Sequence, residues 1–235
     1  MIRTAVNGRV ATLTLDRPER RNAMSRDTLH AIAHQLNRWD VDDSVSVVII
    51  KGEGMAFCAG LDRKEMQAAD DAVRNAIYQA SREFHRAVAG FGKPLIAAIQ
   101  GHALGTGFDM AVMCDLRIAA QGAWLGHPEA RMGGVPVVTP LRHIVGDSWA
   151  RRLCYDGTTI DAETALRIGL VIDVVAPGDL AARVASAADA IAQTPVDTLK
   201  KTKRLFLASP TPESWIVPEH DEVFEQGHTI FNAVK

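Results

Sequence analysis

The most constraining feature of the sequence is a pattern that occurs twice, a short apolar β-branched run that leads into a glycine-rich turn. Val45 to Lys51 (VSVVIIK) leads into Gly52-Glu-Gly54, and Leu95 to Ile99 (LIAAI) leads into the stretch from Gly101 to Gly107. Such runs are typical of strands that are buried on both faces. Glycine turns beyond neighbouring strands of α/β proteins leave backbone N–H groups free to face a ligand. The sequence therefore predicts an α/β protein with a ligand site at two turns.

The rest of the first 146 residues shows strand and helix periods in alternation. Ser25 is a good N-cap, and the apolar positions that follow it lie on one helical face that ends near Trp39. Further elements are predicted as strands at Val10–Leu15 and Leu116–Ala119 and as helices at Ala72–Val88 and Phe108–Cys114.

After residue 146 the sequence becomes rich in alanine and helical in period, with single turns between the helices. We therefore predict two parts, a mixed α/β part at 1–146 and a mostly helical part at 147–235. The predicted helices of the second part are Trp149–Cys154, Ala162–Ile168, Leu180–Gln193, Val196–Ala208 and Glu219–Phe231.

Composition excludes several classes of protein. The chain has 26 Lys and Arg against 28 Asp and Glu, a net charge of −2, which disfavours partners rich in phosphate such as nucleic acids or membrane surfaces. No segment reaches the roughly 18 apolar residues of a membrane span. The three cysteines form no CxxC pair, so we expect reduced thiols in a cytoplasmic protein.

Familiar cofactor and metal motifs are incomplete. Neither Gly52-Glu-Gly54 nor Gly105-Thr-Gly107 has a glycine three residues further on, so the dinucleotide fingerprint fails. His30 and His34 have metal-pair spacing, but no Glu follows His30 and both lie off the apolar face of their helix. We expect no metal and no redox cofactor.

Four segments occur in an order that resembles a known family. They are Arg17-Pro-Glu-Arg-Arg-Asn-Ala-Met24, Ala56-Phe-Cys-Ala-Gly-Leu-Asp62, the stretch from Gly101 to Ala119, and His127-Pro-Glu129. Together they resemble the crotonase (enoyl-CoA hydratase/isomerase) superfamily, and the resemblance continues from Arg152 to Val171. It implies a crotonase-like spiral of ββα units with a C-terminal helical trimerisation region, packed as a homotrimer or a dimer of trimers.

The resemblance also implies an acyl-CoA thioester substrate, so that CoA belongs to the substrate and no separate cofactor is needed. By position, the backbone N–H groups of Leu61 and Thr106 would hold the thioester oxygen. Adding water to an α,β-double bond, or moving that bond, passes through an enolate, and preorganised donors stabilise its negative oxygen.

Residues 20–23 and 59–64 resemble the segments of this family that hold the CoA moiety. Those segments bind it partly through backbone and partly through basic side chains. A solvated basic rim is the alternative interpretation for the side chains. The CoA-binding residues implied by the resemblance are Arg20, Arg21, Ala23, Ala59, Leu61, Asp62, Arg63 and Lys64.

Asp109 and Glu129 match the two acidic positions of the hydratases, where two carboxylates divide the proton transfers. Without the resemblance, Asp109 could cap a helix and Glu129 could be an exposed loop carboxylate. The hydratases carry Glu where this chain has Asp109, and a further aspartate of the dienoyl-CoA isomerases falls on Val137. Thr106 replaces a glycine and would be strained if it needed a positive φ.

The leading hypothesis is hydration of a 2-enoyl-CoA to a 3-hydroxyacyl-CoA, with Glu129 as the principal acid and base and Asp109 orienting the water. The alternatives are an enoyl-CoA or dienoyl-CoA double-bond isomerase, or a weakly active acyl-CoA-binding homologue. The segment after Pro136 is shorter than is usual in the family, which leaves the acyl group undetermined.

Overall fold

The computed structural model describes residues 1–208 and residue 214, and within them nine strands form two sheets. Six strands make the larger sheet, in the spatial order β1-β2-β3-β4-β6-β9, and three make the smaller one, in the order β5-β7-β8. The strands are β1 Ile2–Asn7, β2 Val10–Leu15, β3 Val47–Gly52, β4 Leu95–Ile99, β5 His102–Leu104, β6 Leu116–Ala120, β7 Trp124–Gly126, β8 Thr159–Asp161 and β9 Asp173–Val175.

The larger sheet is parallel from β2 to β9, and only β1 runs antiparallel to its neighbour β2. Parallel strands need crossover connections, and helices supply them here. The helices are α1 Arg26–Val41, α2 Arg63–Ala68, α3 Asp71–Ala89, α4 Thr106–Met113, α5 Thr139–Tyr155, α6 Ala162–Arg167, α7 Leu180–Ala192 and α8 Val196–Leu207. The predicted α/β class is confirmed.

The apolar runs of β3 and β4 are buried on both faces, as predicted. Val48 and Ile50 of β3 join the main core, whereas Val47 and Ile49 face a second cluster that α7 covers. The alternation follows from the two-residue period of a strand. Helices α1 and α3 pack against each other on the main-core side. The two glycine turns are thus fixed to the best-buried strands of the molecule.

The predicted boundaries agree closely for the elements with strong patterns. Strands β2 and β4 have the predicted limits, and Ser25 caps α1 by accepting a hydrogen bond from the Thr28 amide at 3.3 Å. Helix α1 continues two residues beyond Trp39. Strand β3 begins at Val47 rather than Val45, because the Val45 amide donates to Asp42 O in the turn after α1 and the ladder with β2 starts at Val47.

The region after residue 146 is less purely helical than its composition indicates. Helix α5 begins before that point and is broken at Gly146, which has φ 72°. Strands β8 and β9 each add to a sheet whose other strands precede residue 146. The division at 146/147 stays a prediction, and the helix predicted at Glu219–Phe231 lies outside the described residues.

Two further sequence-based expectations concern membrane-spanning helices and the cysteines. Among residues 1–208 and 214, no helix combines the length and the apolar character that crossing a bilayer requires. Cys58, Cys114 and Cys154 are all buried, and none of the three is joined to another cysteine within the described residues.

Lys93, just before β4, is fully buried and provides a test of how α1 is anchored. Its ammonium donates to the backbone carbonyls of Trp39 at 2.5 Å and Asp42 at 2.6 Å, at the C-terminal end of α1. Lys93→Met keeps the stem but leaves both carbonyls without this donor, so we expect a loss of about 1–3 kcal/mol in urea unfolding. The exposed Lys201→Met on α8 should stay within about 0.5 kcal/mol of the parent. Equal effects of the two changes would contradict this account of Lys93.

Candidate active site

The site begins where the chain after β3 meets the chain after β4. Cys58 pairs with Ala103 as an isolated bridge, in which the Cys58 amide donates to the His102 carbonyl and the Leu104 amide donates to the Cys58 carbonyl, both at 2.9 Å. A Cβ on Gly107 would lie 2.5 Å from the Cys58 carbonyl oxygen. Glycine is therefore required at Gly107 for the two turns to approach this closely.

The two turns bring together the amides predicted to hold an oxyanion, those of Leu61 and Thr106. Leu61 bridges Met24 through the atoms of its neighbours, Gly60 O and Asp62 N, so its own amide points to the other side. Thr106 opens α4, where first-turn amides have no acceptor within the helix. Within the described part of the chain, neither amide donates to a protein acceptor. A Cβ on Gly60 would lie 3.6 Å from the Thr106 nitrogen, so the residue before Leu61 lies close to the Thr106 amide.

The concern about strain at Thr106 is removed by its neighbour. Gly105 is the N-cap of α4 and has φ 53°, whereas Thr106 lies within the helix, outside the left-handed region. The turn therefore tolerates a β-branched residue because the glycine before it adopts the unusual backbone conformation. The same geometry shows that Asp109 is not a helix cap, so that alternative is wrong.

Glu129 lies close to this turn. It belongs to a short 3-10 helix, Pro128–Met132, and its side chain is 29% exposed. A Cβ on Gly105 would lie 3.2 Å from its Oε2, and one on Gly134 would lie 2.9 Å from its Cγ. Two glycines thus make room for this carboxylate next to Thr106. It is held by His127 rather than free on a loop, because the imidazole Nδ1 lies 2.8 Å from Oε1.

Asp109 lies deeper, in the interior of α4, with 7% of its surface exposed. Imidazoles flank its carboxylate on both sides. His127 Nε2 lies 3.5 Å from Oδ1, and His85 Nε2 of α3 lies 3.6 Å from Oδ2. Asp109 therefore contacts histidines rather than the Glu129 carboxylate directly.

The protonation of the buried His127 imidazole depends on the two carboxylates beside it. Burial alone disfavours its protonation, but the charge of Asp109, the hydrogen bond to Glu129 and the charge of Glu129 outweigh that effect. The pKa of His127 therefore lies above the ordinary value of 6.5. The sequence offered His127 only as part of the His-Pro-Glu segment and assigned it no role.

The two predicted CoA segments are joined edge to edge by backbone hydrogen bonds. The Met24 amide donates to Gly60 O at 2.8 Å, the Asp62 amide to Met24 O at 2.9 Å, and the Ala59 amide to Arg21 O at 3.0 Å. Ala23, Ala59 and Leu61 are half-buried along this junction, and Asp62 is buried.

Two residues that the sequence did not single out fix this junction. Arg17 forms an ion pair with Asp62 at 2.9 Å and donates to Ala23 O at 2.7 Å. Asn22 is buried with φ 57°, and its side-chain amide donates to Glu53 O at 2.9 Å and Ala56 O at 2.8 Å. Asn is among the few residues that tolerate this backbone conformation, which is the signal that could have identified it.

The predicted CoA residues with charged side chains divide into two kinds. Asp62 caps α2 and pairs with Arg17. Burial opposes its ionisation, but the Arg17 hydrogen bond, the Glu65 and Lys64 amides and the Arg17 charge hold the pKa of Asp62 below its ordinary value. The basic side chains Arg20, Arg21, Arg63 and Lys64 are exposed at the rim of the junction, and either phosphate binding or simple solvation fits them.

A separate cleft of about 270 Å³ contains none of the predicted site residues. It lies on the smaller sheet, beside β7 and β8, and combines aromatic and arginine side chains. Its lining residues are Trp124, Trp149, Arg152, Thr158, Thr159, Ile160, Asp161, Thr164 and Arg167.

The fold and the site define a class of α/β proteins in which two glycine turns lie close to a side-chain carboxylate. The family model for enoyl-CoA hydratase/isomerase matches residues 5–220. A probable enoyl-CoA hydratase of Rhizobium meliloti is 38% identical over 188 residues, which cover 79% of this chain and 72% of that protein. The 2,3-dehydroadipyl-CoA hydratase of Escherichia coli is 37% identical, over 73% of this chain and 68% of that one.

Solved structures agree with the sequence comparisons. The crystal structure of an enoyl-CoA hydratase/isomerase from Xanthobacter autotrophicus superposes with a TM-score of 0.87 at 29% identity, covering 97% of this chain and 86% of that one. Pseudomonas aeruginosa DspI superposes with a TM-score of 0.84 at 30% identity, covering 94% and 86%. This chain belongs to the enoyl-CoA hydratase/isomerase family, and its fold is crotonase-like.

Gly107 provides a test of the contact between the turns. Gly107→Ala should cost about 1–3 kcal/mol in urea unfolding, because the new methyl group meets Cys58 backbone at 2.5 Å and the turns must separate. In Gly178→Ala the added Cβ meets nothing within 4 Å, so the variant should stay within about 0.5 kcal/mol of the parent. A Gly107→Ala variant as stable as Gly178→Ala would contradict the close approach described above.

Proposed function

We propose that this protein adds water to a 2-enoyl-CoA thioester and forms a 3-hydroxyacyl-CoA. The observation that carries the proposal is that the turns of Leu61 and Thr106 lie close to each other and to the partly exposed carboxylate of Glu129. The relatives described above that are 37–38% identical carry hydratase names, which supports hydration over other reactions of the family.

The proposed reaction follows from the roles of these groups. Both amides donate to the thioester carbonyl oxygen, so that C3 becomes electrophilic and the enolate is stabilised as it forms. Glu129 takes a proton from water while the water oxygen bonds to C3. The protonated Glu129 then delivers that proton to C2, which completes the addition of H and OH and restores the carboxylate. Removing one such amide donor typically costs about 2.7–4 kcal/mol of transition-state stabilisation. Asp109 lies behind His127 and contributes its charge to the site.

The junction between residues 20–24 and 59–64 is the proposed CoA-binding surface. The backbone of Arg21, Ala23, Ala59 and Leu61 lies along it, and Arg20, Arg63 and Lys64 would meet the phosphates. CoA enters as part of the substrate, and the proposal includes no metal or redox group. Assembly as a homotrimer or a dimer of trimers, through the region after residue 146, is part of the proposal.

Double-bond isomerisation is the second candidate, and the burial of Asp109 favours it. Hydration requires the water to be oriented, whereas moving a proton between two carbons needs only one carboxylate. Asp109 is 7% exposed and contacts two imidazoles, so Glu129 is the more accessible of the two acids.

Incubation with a 2-enoyl-CoA and, separately, with a 3-enoyl-CoA tests the proposal. Hydration predicts a 3-hydroxyacyl-CoA from the first thioester, whereas isomerisation predicts conjugation of the second. In either case Glu129→Gln should lower kcat by about 10²–10⁴-fold without abolishing acyl-CoA binding, because only the proton transfer is removed. The exposed Glu163→Gln on α6 is the matched control and should leave kcat unchanged.

Two results would overturn the proposal. Conjugation of the 3-enoyl-CoA without any hydration would establish the second candidate in its place. Tight acyl-CoA binding with no turnover of either thioester would instead indicate a binding homologue.

A further inference from the structure

Four side chains form a line of alternating imidazoles and carboxylates that runs from the core to the site. His85 Nε2 faces Asp109 Oδ2 at 3.6 Å, Asp109 Oδ1 faces His127 Nε2 at 3.5 Å, and His127 Nδ1 faces Glu129 Oε1 at 2.8 Å. His85, Asp109 and His127 are buried, and Glu129 at the end of the line is partly exposed. The four groups come from α3, α4 and the segment that begins the 3-10 helix.

The protonation of His127 follows from the groups that face it. A carboxylate lies at each ring nitrogen, and ionised carboxylates only accept hydrogen bonds. Asp109 Oδ1 and His127 Nε2 are both buried and, within the described residues, have no closer polar partner than each other. The hydrogen bond from Nδ1 to Glu129 and the charge of Asp109 beside Nε2 both favour the imidazolium form, which agrees with the raised pKa of His127.

The hydrogen bond to His127 makes the two oxygens of Glu129 unequal. Oε1 is held at 2.8 Å by His127 Nδ1. A Cβ on Gly105 would lie 3.2 Å from Oε2 and 3.6 Å from Oε1, so Oε2 is the oxygen slightly nearer the turn that carries the Thr106 amide. With Oε1 engaged by His127, Oε2 is the oxygen left to accept a proton.

We propose that His127 is a positioning residue that holds Glu129 Oε1, so that Oε2 exchanges the proton, and that Asp109 acts on the reaction through His127 rather than by touching water. This inference rests on the proposed function and makes it more specific. In the proton balance, Oε2 gains the proton that water loses as the oxygen bonds to C3, and His127 keeps both of its own protons. The charge of Asp109, His127 and Glu129 together changes from −1 to 0 in that step.

The proposal predicts that stability and kcat/KM both depend on pH through the protonation of His127. The groups that face the imidazole are Asp109 from α4, Glu129 from its own segment and, across Asp109, His85 from α3, while the Phe108 ring packs edge-on at 4.8 Å. A pKa that is raised by folding means that the imidazolium stabilises the fold fully below about pH 6.5. That stabilisation is lost as the pH rises through the native pKa of His127. The same loss of a proton should lower kcat/KM on the alkaline side.

Two substitutions at one position separate the two contacts of His127. An Asn side chain places its amide nitrogen near the position of Nδ1, so His127→Asn retains a donor to Glu129 Oε1 but cannot reach Asp109. A Gln side chain extends toward the position of Nε2, so His127→Gln retains the contact to Asp109 and leaves Oε1 unheld. Both variants lack the titrating group.

The first readout is the turnover of whichever thioester the protein converts, the 2-enoyl-CoA or the 3-enoyl-CoA, measured from pH 5.5 to 9. The parent should lose kcat/KM with an alkaline midpoint above 6.5, and both variants should lack that midpoint. His127→Gln should fall about 100-fold in kcat, since a misplaced reacting group costs about that much, and His127→Asn should fall clearly less. Equal losses in the two variants, with the alkaline midpoint retained, would overturn the proposal.

Titration of the His127 imidazole by ¹⁵N NMR, without substrate, is the second readout and requires no turnover. The parent should show a protonated ring above pH 6.5, and Asp109→Asn should shift the His127 midpoint downward. A midpoint at or below 6.5, or one that Asp109→Asn leaves in place, would overturn the proposal whatever the activity. Because failure of the proposed function would appear only in the turnover assay, the two failures are distinguishable.

Discussion

The backbone contact between Cys58 and the stretch from His102 to Gly107 is the constraint on which the site depends. Main-chain atoms form this contact on both sides, so the contact depends on residues without a Cβ at its closest points. A Cβ on Gly107 would meet the Cys58 carbonyl at 2.5 Å, and one on Gly101 would meet the Met55 carbonyl at 1.9 Å. The Cys58 thiol adds to the turn by accepting from the Gly60 amide at 3.4 Å, and burial raises the pKa of Cys58 to about 12, so this thiol is structural rather than nucleophilic. Because the turns are fixed through backbone, Leu61 and Thr106 can present amides with side chains that vary.

Much of the fold was predictable because burial on both faces leaves a strong pattern. The apolar runs at β3 and β4, the alternation in β2 and the cap at Ser25 each reflect a local preference that packing reinforces. Strand β1 was missed because most of its residues are exposed, and its pairing with β2 is what makes it a strand. Strands of three residues such as β8 and β9 are too short for a period, and they form only because a neighbouring strand is already in place.

The candidate site was predictable only in part, for a related reason. Motif resemblance predicted Leu61, Thr106 and Glu129 as site residues, and their neighbours in sequence carry the pattern. The partners that fix the site come from elsewhere in the chain: His85 reaches Asp109 from α3, and Arg17 reaches Asp62 across the junction of the two predicted CoA segments. Such contacts leave no spacing to read in a single sequence. The buried histidines also change the expected role of Asp109, since the sequence suggests a carboxylate facing water and the structure surrounds it with imidazoles.

The most direct test is a crystal structure of the protein with a saturated acyl-CoA, which binds like the substrate but cannot be hydrated. The account predicts that the thioester oxygen lies about 2.7–3.1 Å from both the Leu61 and the Thr106 nitrogens, the range expected for oxyanion donors. It also predicts that Glu129 Oε2 is the carboxylate oxygen nearest C2 and C3. A thioester bound with its carbonyl turned to solvent, or with Glu129 directed away from the acyl carbons, would contradict it.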